Sequence, residues 1–287
     1  MQVCERLTDL RAARAALPER LGLIPTMGFL HEGHLALIHR ARNECAAVGI
    51  SIFVNPAQFG PLEDFSTYPR AMERDLELLA KAEVDLVWTP SVADVYPPGF
   101  QSWVEVEQLS RPLEGSARPG HFRGVTTVVA KLFNAFEPRR AYFGQKDIQQ
   151  ARVIEKMIDD LNFNVELRVV PTVRAEDGLA LSSRNVYLNP EQRRAAPALY
   201  RGLVRAKAVW ETGKRDAARL RRAVATAVAA EPLLRVDYVS VADLETLTEQ
   251  AVVREPAIVS AATFAGHTRL IDNIILGHWP ALVSEAG

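Results

Sequence analysis

Two histidines three residues apart, His31 and His34, stand in the stretch Ile24-Pro25-Thr26-Met27-Gly28-Phe29-Leu30-His31-Glu32-Gly33-His34. An imidazole with a reference pKa of about 6.5 changes charge near neutral pH, so it can follow charge developing on an anion. The apolar run before the pair, residues 21–24, reads as a short buried strand, with Pro25 expected to stop its hydrogen-bond ladder. Gly28 allows a tight turn and Gly33 a close backbone approach. From His34 onward Leu35, Leu37, Ile38, Ala41 and Cys45 share one broad helical face. The pair therefore sits where a strand passes into a helix N-terminus, a place whose N–H donors and dipole suit phosphate. Two plainer readings compete: a surface pair, or half of a zinc site. No Cys or carboxylate cluster of the usual spacing stands nearby to complete four ligands.

Three further polar clusters have related settings. Residues 48–54 read as a second buried strand and end in Asn55-Pro56-Ala57-Gln58-Phe59. Strand-like residues 141–143 run into Gly144-Gln145-Lys146-Asp147, with a helix expected over 148–161. Lys146 is then in position to meet phosphate oxygens, and Gln150, one turn into the helix, can point at the same crevice. Leu181-Ser182-Ser183-Arg184 supplies two hydroxyls and a fixed cation in a row, which suits a triphosphate clamp; Ser is also common at the N-cap of a helix such as the one expected near Pro190. Between residues 96 and 124, Pro and Gly crowd the chain and Arg111, Arg118, His121 and Arg123 are scattered through it. That span reads either as a mobile gate carrying cations over an anionic ligand or as a surface loop with solvated charges.

The elements that must position these groups alternate. Helices are expected over 7–17, 69–82 and 125–136, strands over 84–88 and 165–170, and a strand-like piece over 102–106. Strands alternating with helices mean βαβ units and a parallel sheet. The fold class is α/β, a parallel-sheet domain in which ligands bind beyond the C-terminal ends of the strands. Pro171 closes the last of those strands. The chain is accordingly divided into 1–172 and a smaller α+β unit, 173–287, with helices over 190–210 and 216–230 and strands over 236–241, 257–264 and 268–275.

Bulk properties narrow the function. With 287 residues, 48% of them apolar, the chain can bury a sizeable core. Its 34 basic and 35 acidic residues leave a formal charge of -1, which gives no general attraction to nucleic acid. Cys4 and Cys45 form no metal or redox motif, so a reduced, cytoplasmic setting is expected. The first ten residues lack a signal-peptide pattern, and no apolar run is long enough for a bilayer.

Taken together the motifs are more specific than any one of them. Pro25-Thr26-Met27-Gly28…His31-Glu32-Gly33-His34, Val54-Asn55-Pro56…Gln58-Phe59, Arg118-Pro119-Gly120-His121-Phe122-Arg123-Gly124, Tyr142-Phe143-Gly144-Gln145-Lys146-Asp147, Leu181-Ser182-Ser183-Arg184-Asn185 and Arg269-Leu270-Ile271-Asp272-Asn273 occur in that order. The set resembles the pantothenate synthetase (pantoate–β-alanine ligase) family over essentially the whole chain. The resemblance implies ATP-dependent condensation of (R)-pantoate with β-alanine through a pantoyl-adenylate, with release of pyrophosphate and AMP. It also implies a magnesium requirement, a Rossmann-like N-terminal domain, a lid-like C-terminal domain and a homodimer. By position, Met27, Gly28, Phe29, Leu30, His31, Glu32, Gly33, His34, Gly144, Gln145, Lys146, Asp147, Val173, Leu181, Ser182, Ser183 and Arg184 would line ATP. Gln58 and Gln150 would hold pantoate, Gln58 also lying near β-alanine. His34 is the family's catalytic acid, with His31, Lys146 and Arg184 as directed cations or donors. The paired carboxylates often found at the magnesium region are here Arg74-Asp75, so no metal ligand is assigned. Alternatives are another His-x-Gly-His nucleotidyltransferase that leaves AMP on its product, and a non-catalytic ATP-sensing dimer.

Overall fold

The computed structural model describes residues 1–61 and 63–283. Its first sheet is built from β1 (Gln2–Cys4), β2 (Leu21–Thr26), β3 (Ala47–Ile52), β4 (Leu86–Trp88), β5 (Arg140–Gly144) and β6 (Glu166–Val170). Every residue of β3 and nearly every residue of β2 is buried, as expected of strands covered by helices on both faces. Those covers are α1 (Leu7–Ala15), α2 (Glu32–Glu44), α3 (Met72–Lys81), α6 (His121–Phe136) and α7 (Ile148–Asp160), with the short α4 (Val92–Val95) and α5 (Glu114–Ala117) between α3 and α6. The strand order is β1-β4-β3-β2-β5-β6 and the pairings are parallel. The order runs one way from β2 to β4 and the other way from β5 to β6. The sheet thus reverses between β2 and β5, the topological switch point at which such folds bind ligands.

The second unit carries α8 (Pro190–Ala195), α9 (Ala198–Glu211), α10 (Ala217–Ala229) and an antiparallel sheet of β7 (Leu234–Asp243), β8 (Ala257–Ala265) and β9 (Thr268–Leu276). Leu199, Leu203, Leu220 and Val224 pack with Val241 and Val259 in its core. The α/β class with a smaller α+β unit is therefore the one expected. The units are not two uninterrupted halves. The first comprises Met1–Gly144, Gln149–Val170 and the segment from Ala281, and the second comprises Gln145–Ile148 and Pro171–Pro280. One break falls within two residues of the expected 172/173 boundary, and two short segments cross it.

Several local expectations need correction. Pro25 does not end β2: pairing with β3 continues through Pro25 and Thr26, whereas pairing with β5 covers only Gly22 and Leu23. α2 begins at Glu32, not His34, because His31 itself caps it. α6 starts at His121 rather than 125, the chain turning into it through Gly120 at φ +83°. Residues 102–106 are not a strand; the threonines of α6 hold them instead, Thr127 Oγ1 accepting from the Val104 N–H at 3.0 Å and Thr126 Oγ1 donating to the Val104 carbonyl at 2.6 Å. The helix expected over 190–210 is broken before Ala198, where Pro197 has no N–H to continue the ladder.

Candidate functional site

The switch point is flanked by the strand ends that carry the expected phosphate loops: β2 leads into residues 27–34, and β5 ends at Gly144. In the first loop Gly28 and Phe29 both take positive φ, +81° and +51°. A non-glycine residue holds that conformation only when its surroundings impose it. Here Asp75 does so from α3. Its carboxylate accepts the Phe29 N–H at 2.7 Å and the Leu30 N–H at 2.8 Å, while the side chain is 1% exposed. Arg74 holds the next peptide, donating to the Leu30 carbonyl at 3.1 Å. The Arg74-Asp75 pair is thus a clamp on the loop, and both Asp75 oxygens are committed to backbone N–H groups.

The two histidines form the start of α2. The Gly33 N–H donates to His31 Nδ1 at 3.1 Å and the His31 N–H donates to His34 Nδ1 at 3.2 Å. This is a capping box built from imidazoles. An Nδ1 that accepts carries no proton, so in the neutral ring the proton is on Nε2. Both rings therefore present Nε2–H donors at a helix N-terminus, with their centroids 4.2 Å apart. Met27 and Phe29 are half-buried and Glu32 is exposed, but the Leu30 side chain is fully buried in the core. Only its backbone can face a ligand.

At the end of β3, Asn55 caps a single turn of 3-10 helix, Pro56–Gln58. The buried Asn55 receives a hydrogen bond from the Tyr96 hydroxyl at 2.8 Å and donates to Gln58 Oε1 at 3.0 Å. Burial pushes the Tyr96 hydroxyl up to about 12, so it stays a donor. Gln58 Nε2 in turn lies 3.1 Å from Met27 Sδ. The amide of Gln58 is therefore oriented by a chain of contacts, Tyr96 to Asn55 to Gln58 to Met27, that joins two of the expected loops within one unit. Gln150, also in this unit, is half-buried near the start of α7. Its neighbour Gln149 is buried and ties α7 to the segment before α6 through the Glu114 N–H and the Leu109 and Pro112 carbonyls.

The gate reading of residues 96–124 does not survive for Arg118 and His121. Arg118 forms a two-pronged ion pair with Glu63, at 2.7 and 2.6 Å. His121 lies 8% exposed against Arg118 and the Gln58 carbonyl. Arg123 stacks over Trp103 at 4.8 Å.

In the second unit, the Gln145–Asp147 turn is tied to β9. Asn273 Nδ2 donates to the Gln145 and Lys146 carbonyls, both at 2.9 Å. Next to it, Asp272 is buried in an ion pair with Arg174, and burial raises its carboxyl above the ordinary range despite that partner. Ser182 does not cap the helix at Pro190, which Asn189 caps; it caps a 3-10 turn, Ser183–Tyr187, by accepting the Arg184 N–H at 3.3 Å. Ser183 is buried, and Val173, Leu181, Ser182 and Arg184 are half-buried. Among the described residues no group of three or more His, Cys, Asp or Glu side chains is arranged to hold a metal ion. With both Asp75 oxygens engaged, the residues present do not fit a protein-built magnesium site.

Sequence reasoning named the histidines, Gln58 and Lys146. It missed the groups that hold them: Asp75, Tyr96, Arg118, His121 and Asn273 in these roles. The ordered motifs contained Arg118, His121 and Asn273 as letters, without their function.

Comparison with known proteins agrees with this architecture. Residues 2–275 match the pantoate-beta-alanine ligase family. Pantothenate synthetases of a Roseiflexus species and of Chloroflexus aurantiacus are each 55% identical, over 96% of this chain and 99% and 98% of theirs. The crystal structure of pantothenate synthetase from Thermus thermophilus superposes with a TM-score of 0.91 at 50% identity, covering 96% of this chain and 99% of that one. Pantoate-beta-alanine ligase from Francisella tularensis, complexed with beta-gamma ATP and beta-alanine, gives a TM-score of 0.79 at 32% identity over 96% and 97% of the two chains. The chain belongs to the pantoate-beta-alanine ligase family.

Proposed function

We propose that the loop over residues 27–34, at the switch point, holds the phosphate chain of ATP while Gln58 and Gln150 hold pantoate. The reaction is the ATP-dependent, AMP-forming condensation of pantoate with β-alanine. The observation that carries the assignment is the imidazole cap of α2, whose Nε2–H donors stand at the C-terminal end of β2 beside β5. Pantoate's carboxylate is ionised at neutral pH, since carboxyl groups titrate at about 4. One of its oxygens attacks the α-phosphorus and the bond to the bridging oxygen of pyrophosphate breaks. The enzyme's task is to align the two and offset charge on the phosphates. His31 and His34 do so as neutral donors, Lys146 and Arg184 as cations, and Ser182 and Ser183 supply hydroxyls.

In the second step the β-alanine amine attacks the acyl carbon and AMP leaves with its oxygen. In neutral His34 the single lone pair of the ring is committed to the His31 N–H. His34 is therefore a donor to phosphate and not the base that accepts the amine proton. Gln58 and Gln150 suit pantoate because amides donate and accept without drawing the carboxylate into an ion pair. Magnesium accompanying ATP would be held by phosphate oxygens and water. The homodimer and the cytoplasmic setting belong to the same proposal and rest on the family likeness. No helix among the described residues is long and apolar enough to cross a membrane, and the near-zero net charge argues against a nucleic-acid partner.

The test is ATP–pyrophosphate exchange. Exchange that requires added pantoate, with free AMP appearing only when β-alanine is supplied, supports the ligase. A stable adenylylated product supports a nucleotidyltransferase, and ATP binding without exchange supports a sensor; either overturns the assignment.

A further inference from the structure

The motif Arg118-Pro119-Gly120-His121-Phe122-Arg123-Gly124 plays no part in the chemistry above, yet three of its residues, spaced three apart, converge on the main chain on either side of Gln58. Arg118 Nη2 donates to the Gln58 carbonyl at 3.2 Å, and His121 Nδ1 donates to the same oxygen at 2.8 Å. Gly124 lies beneath. A Cβ built there would come within 2.2 Å of the Ala57 carbonyl oxygen and 2.7 Å of the Gln58 nitrogen, so only glycine lets α6 approach the 3-10 turn this closely. The Gly124 carbonyl then accepts from Asn55 Nδ2 at 3.0 Å.

The proton arrangement is determined by these partners. A carbonyl can only accept, so His121 Nδ1 carries the proton. Nε2 is then a lone pair, and it faces the Nη1–H of Arg118 at 3.1 Å. Arg118 is held in turn by both oxygens of Glu63. Gln58 is thus gripped twice: its amide by Asn55 and Met27, with Tyr96 holding Asn55, and its main chain by Arg118 and His121.

We infer that His121 and Arg118 are positioning residues for pantoate recognition, acting by fixing the main chain of Gln58 so that its amide meets the substrate. The inference rests on the reading of Gln58 as a pantoate ligand. Both residues spend their polar contacts on Gln58, Glu63 and each other rather than on the expected phosphate loops. Their loss should therefore act on one substrate and not the other.

The experiment is pantoate-dependent ATP–pyrophosphate exchange by the full-length enzyme, with KM measured for each substrate in wild type, His121→Phe and His121→Asn. Phe keeps the bulk and removes the donor. Asn places its Nδ2 near the position of histidine Nδ1 and restores it. Loss of one donor to the half-buried Gln58 carbonyl should raise the pantoate KM about tenfold in His121→Phe. The ATP KM should stay within about twofold, and His121→Asn should recover most of the loss. Equal rises for both substrates, an unchanged pantoate KM in His121→Phe, or no recovery in His121→Asn overturns the inference. Should His121→Phe fail to fold, Arg118→Lys, which cannot reach Glu63 and the carbonyl as a fork, must show the same selective rise; an unchanged pantoate KM there overturns it equally. An unchanged pantoate KM in Gln58→Ala would instead refute the ligand assignment of Gln58, so the two failures are separable.

Discussion

Asn273 and Lys146 are 127 residues apart in sequence, yet the amide of the first holds the main chain of the second, donating to the Lys146 carbonyl at 2.9 Å and to the Gln145 carbonyl at the same distance. The Asn273 side chain is 2% exposed, and its neighbour Asp272 is locked to Arg174. The turn that presents the lysine is therefore set by the last strand of the C-terminal sheet.

Asn273→Ala should then behave as a weakened Lys146→Ala. Two half-buried carbonyls lose their donor, a net cost of about 0.5–1.5 kcal/mol each. We expect kcat for pyrophosphate exchange to fall about tenfold to a hundredfold, with Lys146→Ala lower still. Exchange at the wild-type rate by a folded Asn273→Ala protein would show that the turn needs no such support.

Asp75→Ala tests the clamp on the first loop. It leaves the Phe29 and Leu30 N–H groups without their acceptors and removes the support for the positive φ of Phe29. Unfolding free energy, from urea titration, should fall by about 3 kcal/mol. The ATP KM should rise more than the pantoate KM. A stable variant with an unchanged ATP KM would show that the loop holds its shape without the carboxylate.

How much of this was legible in the sequence depended on distance along the chain. Residues 21–24 and 48–54 are apolar runs bounded by Pro, and they announced their strands. Gln2–Cys4 did not, because it is three residues long with two of them exposed and exists by pairing with Leu86–Trp88. His31 and His34 were readable because strand, turn and helix follow one another locally. Asp75 looks in sequence like any carboxylate of an amphipathic helix, and its partners lie about 45 residues away. Arg118 and His121 read as loop cations because Glu63 and Gln58, which give them their role, stand 55 and 63 residues earlier. Spacing rules report neighbours on one element; these contacts join separate elements.

Acid should destabilise the fold through the same histidine. Burial, and then the adjacent Arg118, push His121 down to about 4 from 6.5, with the hydrogen bond to the Gln58 carbonyl, then Glu63 and Glu114, pulling the other way. The neutral ring is thus the folded form, so its contribution is intact above about 6.5 and is lost as pH falls toward 4, about 3 kcal/mol in all. Burial raises the Glu63 carboxyl, but the Arg118 fork outweighs it and leaves it below the ordinary range. Its contribution disappears only below about 4.3, outside the histidine window. Urea midpoints measured from pH 7 to 4.5 should therefore fall more steeply in wild type than in His121→Asn; parallel curves would assign the acid sensitivity to other groups.

The placement of Gln145–Ile148 with the C-terminal unit bears on any attempt to recombine this enzyme with a relative. A hybrid that exchanged only the residues after 170 would import a foreign β9 against a resident lysine turn, mismatching the amide and the two carbonyls it serves. A productive graft must carry the four-residue insert along with residues 171–280, so the smallest transferable module is discontinuous in the gene.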